Sequence, residues 1–188
     1  MIAIVQALVL AFVCVFVLMP AYLRLLKYAG FGKRVRREFG PEWHIVKEGT
    51  PTMGGVAIVF SALVGWAVAH LRQGLAFSDQ ALIMWVCIIV MAGMGFLDDF
   101  IKVRKAHNRG IFWKKKGYIT FGLVLIIMTW LSLGTGVSHA LSFTRFDLPG
   151  WNLAPALWVI WTAIMVWATT NAVNVTDGLD GLAAGSAL

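Results

Sequence analysis

Long apolar runs alternate along the chain with short, strongly basic connectors. Five runs stand out by hydropathy: Ile2–Leu23, Met53–Leu71, Ala81–Leu97, Tyr118–Val137 and Leu153–Ala172. Each approaches the length of about 20 residues that an α-helix needs to cross a hydrocarbon core of about 30 Å. No charged side chain interrupts the first run or the fourth. The first is expected to be a retained transmembrane helix rather than a secretory leader, because nothing before Arg24 is charged and no small-residue cleavage pattern precedes Arg24, Lys27 and Lys33. The pattern predicts an all-α, polytopic transmembrane protein with five spans, organised as a single transmembrane domain over residues 1–188.

The connectors set an orientation. Arg24, Lys27, Lys33, Arg34, Arg36, Arg37 and Lys47 lie between the first two runs. Lys102, Arg104, Lys105, Arg109, Lys114, Lys115 and Lys116 lie between the third and fourth. Only Arg72 and Arg145 of the 16 Lys and Arg residues fall on the other side. Basic residues in short loops mark the cytoplasmic face, so the N-terminus is expected in the periplasm and both basic loops in the cytoplasm. Tyr118, Trp151, Trp158 and Trp161 lie near run ends, where amphipathic rings favour the membrane interface.

Composition agrees with lipid as the solvent. Hydrophobic residues make up 60% and charged residues 13%, against about a quarter charged in a soluble domain. The net charge of +7 is explained by topology and anionic headgroups, with attraction of a polyanionic substrate as a compatible role. No nucleic acid is needed to account for it. Cys14 and Cys87 lie inside apolar runs and read as buried small hydrophobes rather than a disulfide. His44, His70, His107 and His139 show no zinc-ligand spacing.

The acidic residues carry the candidate chemistry. Asp98 and Asp99 end the third run in GFLDDFIKV, and Asp177 and Asp180 follow the fifth in NAVNVTDGLDGLAAG. Carboxylates near the hydrocarbon boundary are costly unless paired, hydrated or bound to a cation. Lys102 is placed to pair with Asp98 four residues earlier, which leaves Asp99 without a partner. Two neighbouring carboxylates commonly share a proton or a divalent cation, and magnesium accepts one or two carboxylates alongside water and phosphate. Asn171, Asn174, Asp177 and Asp180 recur at every third position, and Gly178 and Gly181 predict that the helix stops near Thr176. A third string, KEGTPTMGGVAI, enters the second run, where Lys47 and Thr52 are candidates to meet a phosphate or nucleotide. By parity of the crossings all three strings fall on the cytoplasmic side.

PTMGG before the second run, FLDDFIKVRKAHNRG after the third and TNAVNVTDGLDGLAAG after the fifth resemble the polyprenyl-phosphate N-acetylhexosamine-1-phosphate transferases. Within that superfamily the KEGTPTMGG and HNRG strings are similar to those of the phospho-N-acetylmuramoyl-pentapeptide transferases. The resemblance implies transfer of phospho-MurNAc-pentapeptide from UDP-MurNAc-pentapeptide to undecaprenyl phosphate, giving lipid I and UMP for peptidoglycan and cell-wall synthesis. It implies a Mg2+-dependent enzyme of about ten spans, homodimeric, at the cytoplasmic face of the bacterial inner membrane. Carried over by motif, Asp98 and Asp99 belong to the catalytic acidic pair; as a hypothesis Asp98 is the base that deprotonates or orients the lipid phosphate and Asp99 lies close to substrate or metal, the assignment between the two staying open. Asn171, Asn174, Asp177 and Asp180 line the nucleotide-sugar cleft, with Lys47 and Thr52 at its rim. The family's main metal-ligand Asp and its His-rich motif are expected beyond residue 188, so the chain reads as the N-terminal half of the enzyme, inactive by itself. Three alternatives stay open: a related UDP-GlcNAc transferase, an ion-coupled secondary transporter and a non-catalytic membrane subunit. A transporter tends to hold its carboxylates near the bilayer midplane, whereas here they gather at one interface.

Overall fold

The computed structural model describes residues 2–31, 52–104, 111–141 and 150–176. It contains five helices: α1 (Ile2–Tyr28), α2 (Gly55–Gln73), α3 (Asp79–Arg104), α4 (Trp113–Gly134) and α5 (Pro155–Thr176). Two short strands, β1 (Ala140–Leu141) and β2 (Trp151–Asn152), lie between α4 and α5. All five helices are long and apolar enough to cross a membrane, as the hydropathy pattern predicts, and the chain is a multi-pass membrane protein. The largest difference is at α3, which continues past Asp98 and Asp99 to Arg104. The acidic pair therefore rides on the final turns of a helix instead of ending it. Pairing at i,i+3 and i,i+4, with Lys102 and Arg104 near the negative end of the helix dipole, supports that extension.

The chain divides into two compact units, one of Met1–Ser78 with Ile88–Trp113 and one of Asp79–Cys87 with Lys114–Leu188. In the first, α1 and α2 pack antiparallel. Ala57, Ser61, Gly65 and Ala69 recur every four residues on one side of α2 and are buried. Such small residues let helix backbones approach closely where lipid offers no hydrophobic drive for association. A Cβ at Gly65 would lie 2.6 Å from the Ala7 carbonyl oxygen and 2.7 Å from the Ala11 nitrogen. Gln73 Nε2 donates to Gln6 Oε1 at 2.9 Å, tying the opposite ends of the two helices. Gly74, at φ 62°, closes α2 in the left-handed conformation, and the Leu75 N–H reaches back to the His70 carbonyl at 3.0 Å.

In the second unit, α4 and α5 are joined by Trp167, whose Nε1 donates to the Gly117 carbonyl at 3.0 Å. The Trp167 ring meets Phe121 edge-on, with centroids 6.0 Å apart. The strands pair antiparallel, Ala140 opposite Asn152 and Leu141 opposite Trp151. His139 Nε2 lies 2.8 Å from Ser132 Oγ, and its ring meets Trp158 edge-on at 5.2 Å. Trp158 is only 7% exposed. It belongs to the core rather than to the interfacial anchors, because it sits one turn into α5 where its ring covers His139. Tyr118, Trp151 and Trp161 are exposed, as anchors require.

The outward surface is apolar, with Ile4, Val5, Leu8, Phe12 and Phe16 exposed along α1. Hydroxyls along α4 and α5 turn back onto their own helices. Thr120, Thr129, Thr135, Thr162, Thr170 and Thr176 each donate to a carbonyl four residues earlier at 2.7–2.9 Å, which satisfies the donor without a partner helix. Cys14 and Cys87 are free thiols.

Candidate active site

Successive residues on an α-helix lie about 100° apart, so adjacent Asp98 and Asp99 face different surroundings. Asp98 is 6% exposed, whereas the Asp99 side chain keeps 37% of its surface open. Lys102 Nζ lies 2.8 Å from Asp98 Oδ2 and donates to Asp99 Oδ1 at 3.1 Å. Asp98 Oδ1 accepts the Ile111 N–H at 2.8 Å, fastening the approach to α4. Both oxygens of Asp98 are thus engaged within the protein. Among the described residues, Asp99 Oδ2 makes no hydrogen bond or ion pair. From sequence alone Lys102 is the partner of Asp98 only; the helix instead brings one ammonium to both carboxylates.

The turn before α2 belongs to the same unit. Met53 is buried at φ 73°, a left-handed conformation that costs an L side chain about 1–2 kcal/mol. The Tyr22 hydroxyl donates to the Met53 carbonyl at 3.2 Å, and that carbonyl also accepts the Val56 N–H at 3.2 Å. The Thr52 N–H donates to the Phe31 carbonyl at 3.3 Å. The Phe31 ring in turn lies 6.1 Å from Phe100, the residue after Asp99. Two strings far apart in sequence, PTMGG and GFLDDFIKV, are therefore linked through Phe31. Thr52 Oγ1 is shielded from solvent and has no partner among the described residues. A buried hydroxyl left unpaired costs about 1–3 kcal/mol. Tyr22, at the end of the first apolar run, and Phe31, in the basic connector after it, carry no local signal of this role in the sequence.

The other predicted site residues divide by position. Asn171 and Asn174 lie in the last turns of α5, within the second unit. Asn171 is half-buried and its Nδ2 donates to the Trp167 carbonyl at 2.7 Å, while Asn174 is exposed. Lys47, Asp177 and Asp180 lie outside the described residues, as does the chain after Thr176, where the helix is expected to stop. Among the described residues no group of three or more His, Cys, Asp or Glu converges on a metal position.

Comparison with known proteins identifies the family. A family profile described as Glycosyl transferase family 4 matches residues 81–188. A second, described as Phospho-N-acetylmuramoyl-pentapeptide-transferase signature 1, matches residues 47–59, which include the Met53 turn. Over its whole length the chain is 38% identical to the phospho-N-acetylmuramoyl-pentapeptide-transferase of Bifidobacterium longum (strain DJO10A), covering 55% of that protein. It is 40% identical over 96% of its length to the Mycobacterium leprae (strain TN) protein of the same name, covering 52% of it. It is 39% identical over 90% of its length to that of Arthrobacter sp. (strain FB24), covering 50%. The chain spans about half the length of the curated relatives it matches, corresponding to their N-terminal half. By the profile over residues 81–188 the chain belongs to glycosyl transferase family 4, and within it the signature at residues 47–59 and the identity along its whole length make it similar to the phospho-N-acetylmuramoyl-pentapeptide-transferases.

Proposed function

We propose that this chain carries part of the machinery that transfers phospho-MurNAc-pentapeptide from UDP-MurNAc-pentapeptide to undecaprenyl phosphate, giving lipid I and UMP. The observation that carries the reading is the end of α3, where a half-open carboxylate and a lysine lie beside each other in the unit that also holds the signature turn. In the reaction an oxygen of the lipid phosphate attacks the sugar-bearing phosphorus of the UDP-sugar. The bond from that phosphorus to the bridging oxygen breaks, and UMP leaves with the electron pair. The attacking group is an anion approaching an anion, so catalysis depends on positioning and charge neutralisation.

Asp98 and Asp99 form the acidic pair of this site. Asp98 Oδ2 is held by Lys102, so its use as a proton acceptor requires the ammonium to move away, and the substrate phosphates attract it. Asp99 offers an open, half-exposed carboxylate oxygen, which suits a hard cation that keeps most of its water. Asp99 would hold Mg2+ there, with further ligands from substrate phosphates and from carboxylates outside the described residues. Bound in this way, the metal supplies charge stabilisation to the pyrophosphate. Thr52 and Lys47 contact the nucleotide-sugar at one rim, and Asn171, Asn174, Asp177 and Asp180 line its cleft. The two basic loops support a cytoplasmic placement of the site in the bacterial inner membrane.

The test is an assay of the full-length protein with UDP-MurNAc-pentapeptide and undecaprenyl phosphate in detergent micelles. Magnesium-dependent release of UMP with formation of lipid I is expected. Turnover of UDP-GlcNAc instead moves the chain to the related transferase, and ion-coupled uptake without UMP release moves it to the transporters.

A further inference from the structure

The C-terminal end of α1 holds the turn before α2 at two points. The Phe31 carbonyl accepts the Thr52 N–H at 3.3 Å, and the Tyr22 hydroxyl donates to the Met53 carbonyl at 3.2 Å. Between these points the Met53 backbone sits at φ 73°, with its side chain 7% exposed. An L residue relaxes from that conformation unless its surroundings over-determine it, and strain of this kind concentrates where a backbone must present a neighbour in a fixed direction. The neighbour is Thr52. Its Oγ1 is shielded and has no partner among the described residues, so no hydrogen bond of its own aims it. Its direction is inherited from the backbone that Tyr22 and Phe31 fasten. A return of Met53 to negative φ would rotate the turn and carry Thr52 with it.

We propose that Tyr22 is a positioning residue: its hydroxyl locks the Met53 peptide in the left-handed conformation and thereby aims the Thr52 hydroxyl at the nucleotide-sugar substrate. This rests on the reading of Thr52 as a substrate contact, and the experiment separates the two. In the full-length protein, KM for UDP-MurNAc-pentapeptide, kcat and the thermal midpoint are measured for Tyr22→Phe, Thr52→Ala and the double variant. Tyr22→Phe raises KM about five- to tenfold, the equivalent of one hydrogen bond, and leaves kcat within about twofold. Thr52→Ala raises KM at least as much, and the double variant is no worse than Thr52→Ala. In a Met53→Gly background, where glycine takes positive φ without strain, Tyr22→Phe changes KM by less than about twofold. That pair also carries the test if Tyr22→Phe alone does not accumulate.

Additive effects of Tyr22→Phe and Thr52→Ala overturn the proposal and leave the reading of Thr52 standing. So does a full KM effect of Tyr22→Phe in the Met53→Gly background, or a lowered thermal midpoint with unchanged KM. An unchanged KM for Thr52→Ala overturns the reading of Thr52, and the proposal with it.

Discussion

Replacing Gly65 by alanine adds one methyl group at the closest approach of α1 and α2. The new Cβ would lie 2.6 Å from the Ala7 carbonyl oxygen, 2.7 Å from the Ala11 nitrogen and 2.9 Å from the Ala11 Cβ. Two of these three are backbone atoms, so no rotamer change relieves them. Restoring an ordinary contact distance of 3.4 Å requires the helices to part by about 0.8 Å. That separation loosens Ala57, Ser61 and Ala69, which are 5%, 1% and 0% exposed against the same neighbour. Overpacking costs about 1–3 kcal/mol, and rigid backbone partners place this site near the upper end. Alanine returns up to about 1 kcal/mol through its better helix propensity. The net expectation is a loss of about 2 kcal/mol. It is measured by thermal or denaturant unfolding of the detergent-solubilised protein. The control is Gly122→Ala, where an added Cβ meets nothing within 4 Å; propensity then acts alone and the variant is neutral or slightly more stable. Equal stability of the two variants would refute the close-packed α1–α2 seam. The seam also sets the register that brings Tyr22 to Met53, so Gly65→Ala weakens substrate binding as well.

Four further outcomes are expected. Asp98→Asn keeps an acceptor for the Ile111 N–H but loses the charge facing Lys102, so turnover falls by roughly 10²- to 10⁴-fold while the protein still folds; near-normal UMP release would end the role of Asp98. Asp99→Asn raises the magnesium concentration for half-maximal rate by roughly tenfold, about 1.4 kcal/mol, and an unchanged magnesium titration excludes Asp99 from the metal. Lys102→Met tightens magnesium binding in the absence of substrate, read by calorimetry, yet lowers turnover; movement of both in the same direction contradicts a shared lysine. Trp167→Phe removes the donor to the Gly117 carbonyl at a cost of about 1 kcal/mol, lowering the thermal midpoint without changing KM.

Hydropathy located all five helices because chain length in lipid is fixed by the bilayer, a constraint that leaves a strong trace in sequence. Helix ends were less legible. Arg24, Lys27 and Lys102 lie beyond the end of an apolar run but still inside the helix that carries it; long basic side chains reach water from within the last turns. Asp98 and Asp99 were recognisable as a pair, whereas their division into a buried and a half-open carboxylate needed the rotational phase of α3. Met53 at positive φ has no signature at all, since the usual marker of that conformation is glycine and the two glycines in PTMGG come after it. Trp158 was assigned to the interface by its place in the chain. Its burial comes from His139, which is contributed by a separate segment and invisible to a local reading.

The decisive feature at the end of α3 is an asymmetry of unused bonding capacity. A lysine ammonium has three donors; two are directed at Asp98 and Asp99, and the side chain stays 37% exposed. Asp99 has spent one oxygen on Lys102 and keeps the other open. One donor and one acceptor are therefore left side by side near the end of α3. A carboxylate oxygen and an ammonium proton left open in this way are satisfied by water or by a ligand that replaces it. A phosphate that arrives with its counter-cation satisfies both, the donor by its oxygens and the acceptor by the cation. Two carboxylates against one ammonium leave the cluster a net negative charge, which attracts a cation and repels a phosphate that arrives without one. On this electrostatic ground the proposed site suits a cation-bound pyrophosphate better than an uncomplexed anion.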